Sequence, residues 1–116
     1  MTRIILPWPP ALLSGHAKGN QQWAKITATK KLRADAQALT LLADPPAMPA
    51  KGDIPITVRF EAPDNRADRC NYPARAKPLI DGLADALGVN DKRFLPTWEY
   101  GPLCPPHGRV VVEVGL

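Results

Sequence analysis

The amino-acid sequence predicts a small α/β domain, in which a mixed β-sheet carries two packed helices in the order β-α-β-α-β-β. Short runs at residues 3–6, 54–61 and 109–114 have the composition or two-residue alternation of strands. Two longer stretches, at about 22–43 and 72–87, show apolar residues at helical spacing. With 116 residues, 45% of them hydrophobic, the chain can bury a core as one domain spanning residues 1–116.

The first strand and the first helix occupy the N-terminal half of the chain. The strand at residues 3–6 stops at Pro7, and a polar loop at residues 14–20 follows. The helix from about 22 to 43 ends before Pro45. Its predicted apolar stripe consists of Ala34, Ala38 and Leu41, widened by Leu32, Leu39 and Leu42.

The strand at residues 54–61 alternates apolar and mostly polar side chains, which is typical of a half-buried strand. The helix that follows has one apolar face, formed by Leu79, Ile80, Leu83, Ala84 and Leu87. Pro78 lacks an amide donor and disfavours helix at the residue before it, so regular helix is expected to begin near Pro78 after one irregular turn. Gly88 suits the C-terminal cap.

Two further strands complete the prediction. Residues 94–100 read as a weaker strand, and residues 109–114 place alternate valines on one face. No apolar run approaches the roughly 20 residues that cross a membrane, and the N-terminus lacks the pattern of a signal peptide. Cys70 and Cys104 form no CxxC pair and are expected to be reduced thiols. We therefore expect a cytoplasmic protein without a membrane partner.

Basic residues are concentrated near the start of the first predicted helix. The formal net charge is +4 and the sequence pI about 9.3. The basic run contains no acid and comprises Lys18, Lys25, Lys30, Lys31 and Arg33. Cations at a helix N-terminus oppose the helix dipole, so a polyanion partner such as nucleic acid is one interpretation. A solvated helix face is the other, and the charge run alone leaves both open.

The acids are concentrated between residues 63 and 93. Five of the eleven carboxylates lie there: Asp64, Asp68, Asp81, Asp85 and Asp91. Mg²⁺ prefers hard oxygen ligands, and in nucleases it activates water at a scissile phosphate. On spacing alone, solvated acids together with a Lys77–Asp81 helix pair explain the segment more simply.

The order of these residues resembles a known family. The segments PDNRADRCN, at residues 63–71, and KPLIDGLADALGVND, at residues 77–91, resemble the core of RusA-type Holliday junction resolvases, especially the phage-borne members. The family pattern runs PDxRxxDxDN, then a lysine, then DGLxDAxGVxxDD. Residues 6–10, LPWPP, resemble the opening strand and Pro-Pro turn of the family.

The resemblance implies a homodimer that binds four-way DNA junctions and makes paired, Mg²⁺-dependent nicks in DNA recombination or repair, with Mn²⁺ as a substitute metal. Asp68 and Asp91 fall on motif acids and are implied metal ligands. Asp81 is implied as a further metal ligand or as a group that contacts the ligands rather than the metal. Lys77 is implied near the scissile phosphate, and Asn71 falls on the motif asparagine. Arg66 and Arg69 join the basic residues above as expected DNA contacts.

Two departures from the family pattern define the alternatives. Cys70 stands where the motif has its second acid, and Asn90 stands before the final aspartate. A thiol is a soft ligand and a poor partner for Mg²⁺. The alternative function is therefore a weak or inactive junction-binding module with the same fold.

Two weaker alternatives remain open. Cys104 and His107 have metal-ligand spacing, and with His16 or Cys70 they would form a zinc site. A binder of single-stranded nucleic acid would present aromatic rings on an exposed sheet face beside basic residues. Trp8, Trp23 and Trp98 are candidates for such stacking, although core or interface positions explain them as well.

Overall fold

The structure is a computed structural model that describes residues 2–13 and 20–115. It is a mixed α+β domain with a four-stranded sheet and two principal helices, which confirms the predicted fold class. The polar loop expected at residues 14–20 lies, except for Asn20, outside the described residues. The elements are β1 (Thr2–Pro7), α1 (Asn20–Leu42), β2 (Ile54–Glu61), the short α2 (Tyr72–Arg75), α3 (Lys77–Leu87), β3 (Phe94–Tyr100) and β4 (Arg109–Val114).

The sheet has the strand order β1-β4-β2-β3. β4 pairs antiparallel with both β1 and β2, whereas β2 and β3 are parallel. A parallel pair needs a crossover connection, and α2 and α3 supply it. The side chains of β2 alternate as predicted, and Ile54, Ile56, Val58 and Phe60 are all buried. These four side chains form the centre of the core. Because of the strand order, β1 and β3 are the two edge strands of the sheet.

The predicted apolar stripe of α1 is wrong. Ala34, Ala38 and Leu41 are exposed, as are Leu39 and Leu42. Of the six predicted residues only one is buried, and the buried face is Leu32, Ala36 and Thr40. The Thr40 hydroxyl donates a 2.7 Å hydrogen bond to the carbonyl oxygen of Ala36, which satisfies this buried polar group within the helix. Two of the three buried residues, Ala36 and Thr40, are small, because the contact with α3 is close around Ala36.

Gly82 explains how close the two helices lie. A Cβ atom at this position would stand 2.3 Å from the carbonyl oxygen of Arg33 and 2.7 Å from the Cβ of Ala36. Beside this contact, Arg33 donates to both carboxylate oxygens of Asp85, at 2.6 and 2.9 Å. The glycine of the DGL segment therefore has a packing role between α1 and α3.

The two ends of α3 agree with the sequence prediction. Ala76 separates α2 from α3, and Pro78 lies in the first turn of α3, where a missing amide donor costs no hydrogen bond. At the other end Gly88 adopts the left-handed conformation with φ of 67°, and its amide donates to the carbonyl groups of Ala84 and Asp85.

Replacing Gly82 by alanine tests the close helix contact. We expect Gly82→Ala to lower the free energy of unfolding by about 1–3 kcal/mol, because the added methyl group meets backbone atoms that cannot rotate away. The higher helix propensity of alanine works in the opposite direction. Urea unfolding followed by circular dichroism measures the change. Gly115→Ala is the matched control, since its Cβ would lie at an ordinary 3.5 Å from the nearest atom. Equal stability of the two variants would contradict the close contact.

A buried carboxylate lies on the face of the sheet away from the helices. Glu61 is buried at the end of β2 and contacts Arg109, at 2.5 Å, and Arg59, at 3.1 Å. Its hydrogen bond with Arg109 is the main reason that the pKa of Glu61 is lowered from 4.5. A lowered folded-state pKa stabilises the fold above the ordinary pKa, and this contribution is lost as the pH falls through the folded-state value.

The pH dependence of unfolding tests this pair. We expect Glu61→Gln to be less stable than the wild type at pH 7, with a difference that shrinks as the pH falls below about 4.5 and the wild-type carboxylate takes up a proton. Thermal unfolding between pH 2 and 8 measures it. Glu113→Gln, on β4, removes the same charge and is the control. A difference between Glu61→Gln and the wild type that does not vary with pH would exclude a role for the ionised carboxylate.

Candidate functional site

Lys77, Asp81 and Asp91 meet at the start of α3. Lys77 is the first residue of α3, and its ammonium group donates a 2.8 Å hydrogen bond to Asp81, one helical turn later. The same nitrogen atom also contacts the carboxylate of Asp91. Asp91 begins the 3-10 turn Asp91–Arg93, and Asn90 caps this turn by accepting the Lys92 amide at 2.9 Å. The departure from the family pattern at residue 90 therefore has a local structural role.

Lys77 and the carboxylates of this cluster stabilise one another's charged forms. Hydrogen bonds to Asp81 and Asp91 raise the pKa of Lys77. The hydrogen bond from Lys77 lowers the pKa of Asp91. An ammonium group thus lies between two carboxylates, and the formal net charge of the cluster is −1. Because the two acids contact one nitrogen atom, the contacting oxygens lie within about two hydrogen-bond lengths of each other, roughly 5–6 Å.

A pocket of about 200 Å³ lies beside the Lys77–Asp91 pair. It is bounded by the helical segment on one side and by the helix-facing side of β3 on the other. The register of β3 with buried β2 residues places Phe94, Pro96 and Trp98 on this side. Only Phe94 of these three is buried, because the helices leave the rest of the edge strand uncovered. The lining residues are Ile56, Pro73, Lys77, Ile80, Asp91, Phe94, Pro96 and Trp98.

Asp68 is not part of the Lys77 cluster in the described contacts. Its carboxylate accepts the amide of Cys70 at 2.9 Å and caps the 3-10 turn Arg69–Asn71. Asn71 is exposed on the same turn and makes no side-chain cap bond to α2. Within residues 2–13 and 20–115, no three His, Cys, Asp or Glu side chains are grouped to hold a metal ion. The structure thus brings together three of the four predicted charged residues.

The predicted DNA-binding residues are distributed over α1 and the loop after β2. Lys18 lies outside the described residues. Lys25 and Lys30 lie on α1, and the structure records no ion pair for either in the part of the chain it describes. Two other α1 cations have acidic partners: Lys31 pairs with Asp35 at 2.8 Å, and Arg33 pairs with Asp85.

The two arginines of the loop after β2 are exposed. Arg66 lies 4.0 Å from Asp64. Arg69 borders a depression next to Tyr100. Both are therefore accessible to a polyanion that approaches this end of the molecule.

Arg75 is a residue that the sequence analysis missed. It is only 4% exposed, and it donates a 2.6 Å hydrogen bond to the carbonyl oxygen of Pro9. Its guanidinium lies 5.6 Å from the ring centre of Trp8 and 5.7 Å from that of Tyr72, within cation–π range. Burial lowers the pKa of Arg75. An arginine within a helical stretch that is otherwise apolar on the core side is the signal that identifies it.

Five of the seven aromatic side chains form one continuous group. Phe60 is at its centre and stacks on Trp98 with ring centres 5.9 Å apart and planes inclined by 17°. Tyr72 and Tyr100 flank Phe60 at 5.5 and 5.7 Å. Trp8 meets Tyr72 edge-on at 4.8 Å. The exposed members of the group, Trp98 and Tyr100, lie on β3.

The alternative zinc site gains no support from the described contacts. Cys104 is half-buried and His107 is exposed, and neither belongs to a metal-ligand group among residues 2–13 and 20–115. His16 lies outside the described residues. None of the described helices is long and apolar enough to span a membrane.

The chain is similar in sequence to an uncharacterized protein. No protein-family model matches the chain. An uncharacterized protein of Xylella fastidiosa (strain Temecula1 / ATCC 700964) is 34% identical over 99 residues, which cover 82% of this chain. The aligned region is 63% of that protein, so the chain spans less than two thirds of the relative's length.

Proposed function

We propose that the protein is a RusA-like endonuclease that cleaves four-way DNA junctions by metal-dependent phosphodiester hydrolysis. The observation that carries this proposal is the meeting of Lys77, Asp81 and Asp91 beside an open pocket. These residues fall on the lysine and on two of the acids in the family pattern. Their contacts span 14 residues of sequence between Lys77 and Asp91, which a simple pair on one helix does not explain.

The donor chemistry fits Mg²⁺ or Mn²⁺. Mg²⁺ keeps several waters and takes one or two carboxylates from a protein. Asp81 and Asp91 bring two carboxylates together at the Lys77 ammonium, and a metal bound between them would displace the ammonium from at least one of them. Asp68 would add a third carboxylate from the loop after β2. When bound, the metal would activate a water and stabilise charge on the phosphate. The thiol of Cys70 is soft and takes no part in this donor set.

The chain's own groups supply binding and orientation. Lys77 has three N–H donors, so it can donate to a phosphate oxygen while it still holds a carboxylate. Its pKa is raised above the ordinary 10.5 by hydrogen bonds to Asp81 and Asp91, so it is charged at neutral pH. Lys25 and Lys30 on α1, with Arg66 and Arg69 on the loop, would neutralise phosphates farther along the DNA arms.

The proposal includes a homodimer. A two-fold pair presents the same site twice, which suits symmetric nicks in a four-way junction. The outer surface of α1 supports an interface between copies because it exposes large apolar side chains, including Ile26, Leu41 and Leu42, the last of them 81% exposed.

A second candidate is a junction-binding module without cleavage activity. Two observations favour it: the Asp68 carboxylate is engaged by the backbone of its own turn, and Cys70 replaces an acid. In this candidate the basic surface and the pocket still bind DNA, but the phosphodiester bond is not cleaved. Nicking of DNA therefore separates the two candidates.

A synthetic four-way junction tests the proposed activity. We expect nicks in the presence of Mg²⁺ or Mn²⁺ and none with chelator. Asp91→Asn should reduce the rate by roughly 10²–10³-fold, the usual loss when a group that stabilises transition-state charge is removed. Asp35→Asn, which removes an equal charge on α1, should cleave at the wild-type rate. Junction binding without metal-dependent nicking would favour the second candidate, and binding curves of wild type and Asp91→Asn that respond identically to Mg²⁺ would contradict the metal site.

Restoring an acid at residue 70 tests the assignment of Asp68. We expect Cys70→Asp to raise the nicking rate, because a hard oxygen ligand replaces a soft thiol two residues from Asp68. Cys70→Ser removes the thiol without adding charge and is the control. The rates are compared on the same junction at several Mg²⁺ concentrations. No gain in Cys70→Asp over Cys70→Ser would place the loop acids outside the metal site.

A further inference from the structure

Trp98 forms one wall of the pocket that also contains Lys77 and Asp91. Its side chain lies on the edge strand β3 and is 37% exposed. Phe60, which is fully buried, stacks on the indole from the core side with the planes inclined by only 17°. The indole is therefore held in place from the core side while part of it stays accessible.

The pocket is suited to part of a ligand rather than to a whole one. Its volume of about 200 Å³ is below the roughly 300–1,000 Å³ of sites that enclose a complete small molecule. Two prolines and the indole give it flat apolar walls, and Lys77 also lines it. A nucleotide matches this combination, because its base offers a π face to Trp98 and its phosphate offers oxygen acceptors to Lys77.

We infer that Trp98 stacks on an unpaired nucleobase of the nucleotide whose phosphate contacts Lys77. In a continuous duplex each base is already stacked on its neighbours, so the indole would be reached only by a base that has left the stack. The substrate class is thus DNA with at least one unstacked base at a branch or in a single-stranded segment. The inference rests on the proposed function. It adds a reason why the protein would prefer branched DNA to duplex DNA, since only an unstacked base can stack on Trp98.

An apolar peptide segment is a less suitable ligand for this pocket. It would cover the indole but would leave the charged pair of Lys77 and Asp91 partly desolvated without a new partner, which is unfavourable. A nucleotide replaces the lost hydration of Lys77 with a charge-assisted hydrogen bond.

The stacking is measured directly by ¹⁹F NMR of the full chain labelled with 5-fluorotryptophan. Trp98→Phe and Trp23→Phe assign two of the three signals, and Trp8 is the third. Without metal, titration with a four-way junction should shift the Trp98 signal, whereas a duplex of equal length should leave it in place. A junction that binds without moving this signal would overturn the inference.

Affinity measurements provide the second arm of the test. Trp98→Leu, which keeps an apolar cover over Phe60, should weaken junction binding by roughly 5- to 150-fold, the loss that corresponds to ~1–3 kcal/mol of stacking per base. Leu95→Ala is the matched control, since Leu95 is 52% exposed on the opposite face of the same strand. Duplex binding should be equal for both variants and the wild type.

Abasic sites in the DNA identify the stacked base. One abasic position near the branch point should weaken binding to the wild type and have no effect on Trp98→Leu, since both changes remove the same contact. If the wild type binds and nicks junctions but neither Trp98→Leu nor the abasic site weakens junction binding, the inference fails and the proposed function stands. If no branched or single-stranded DNA binds at all, both fail.

Discussion

The close contact between α1 and α3 is the constraint on which the rest of the structure depends. It exists because Gly82 has no side chain, which lets the backbone of α1 near Arg33 and Ala36 approach α3 directly. Leu79 and Leu83 then anchor the apolar face of α3 in the core. With that face fixed, the polar side of the helix is fixed as well, and the first turn of α3 holds its lysine within reach of Asp91.

The contact also explains why one segment combines structural and chemical residues at adjacent positions. Asp81 belongs to the charged cluster, Gly82 to the helix contact and Leu83 to the core. Asp85, one turn after Asp81, holds Arg33 of α1. Because α3 contacts the charged cluster, α1 and the core at once, few of its positions are expected to tolerate substitution.

The sequence predicted α3 better than α1 for a physical reason. The apolar face of α3 packs large side chains on the sheet, so hydrophobic periodicity and burial coincide. The face of α1 that meets α3 selects small residues, and Ala36 and Thr40 carry little hydrophobic signal. The charged cluster was predictable from motif order, whereas the capping role of Asp68 depends on local backbone geometry. The stacking of Trp98 on Phe60 depends on strand pairing between distant segments, which periodicity does not encode.

Lys77 lies between two carboxylates, so its ammonium group is the counterion of Asp81 and Asp91. Such an arrangement stores no large uncompensated charge, so the fold does not depend on a bound cation to relieve repulsion between the acids. It also creates a thermodynamic link within the proposed site. Any cation that binds these acids competes with the ammonium, and any anion that attracts the ammonium strengthens the cation site. Cation and phosphate would therefore bind cooperatively, each raising the affinity for the other.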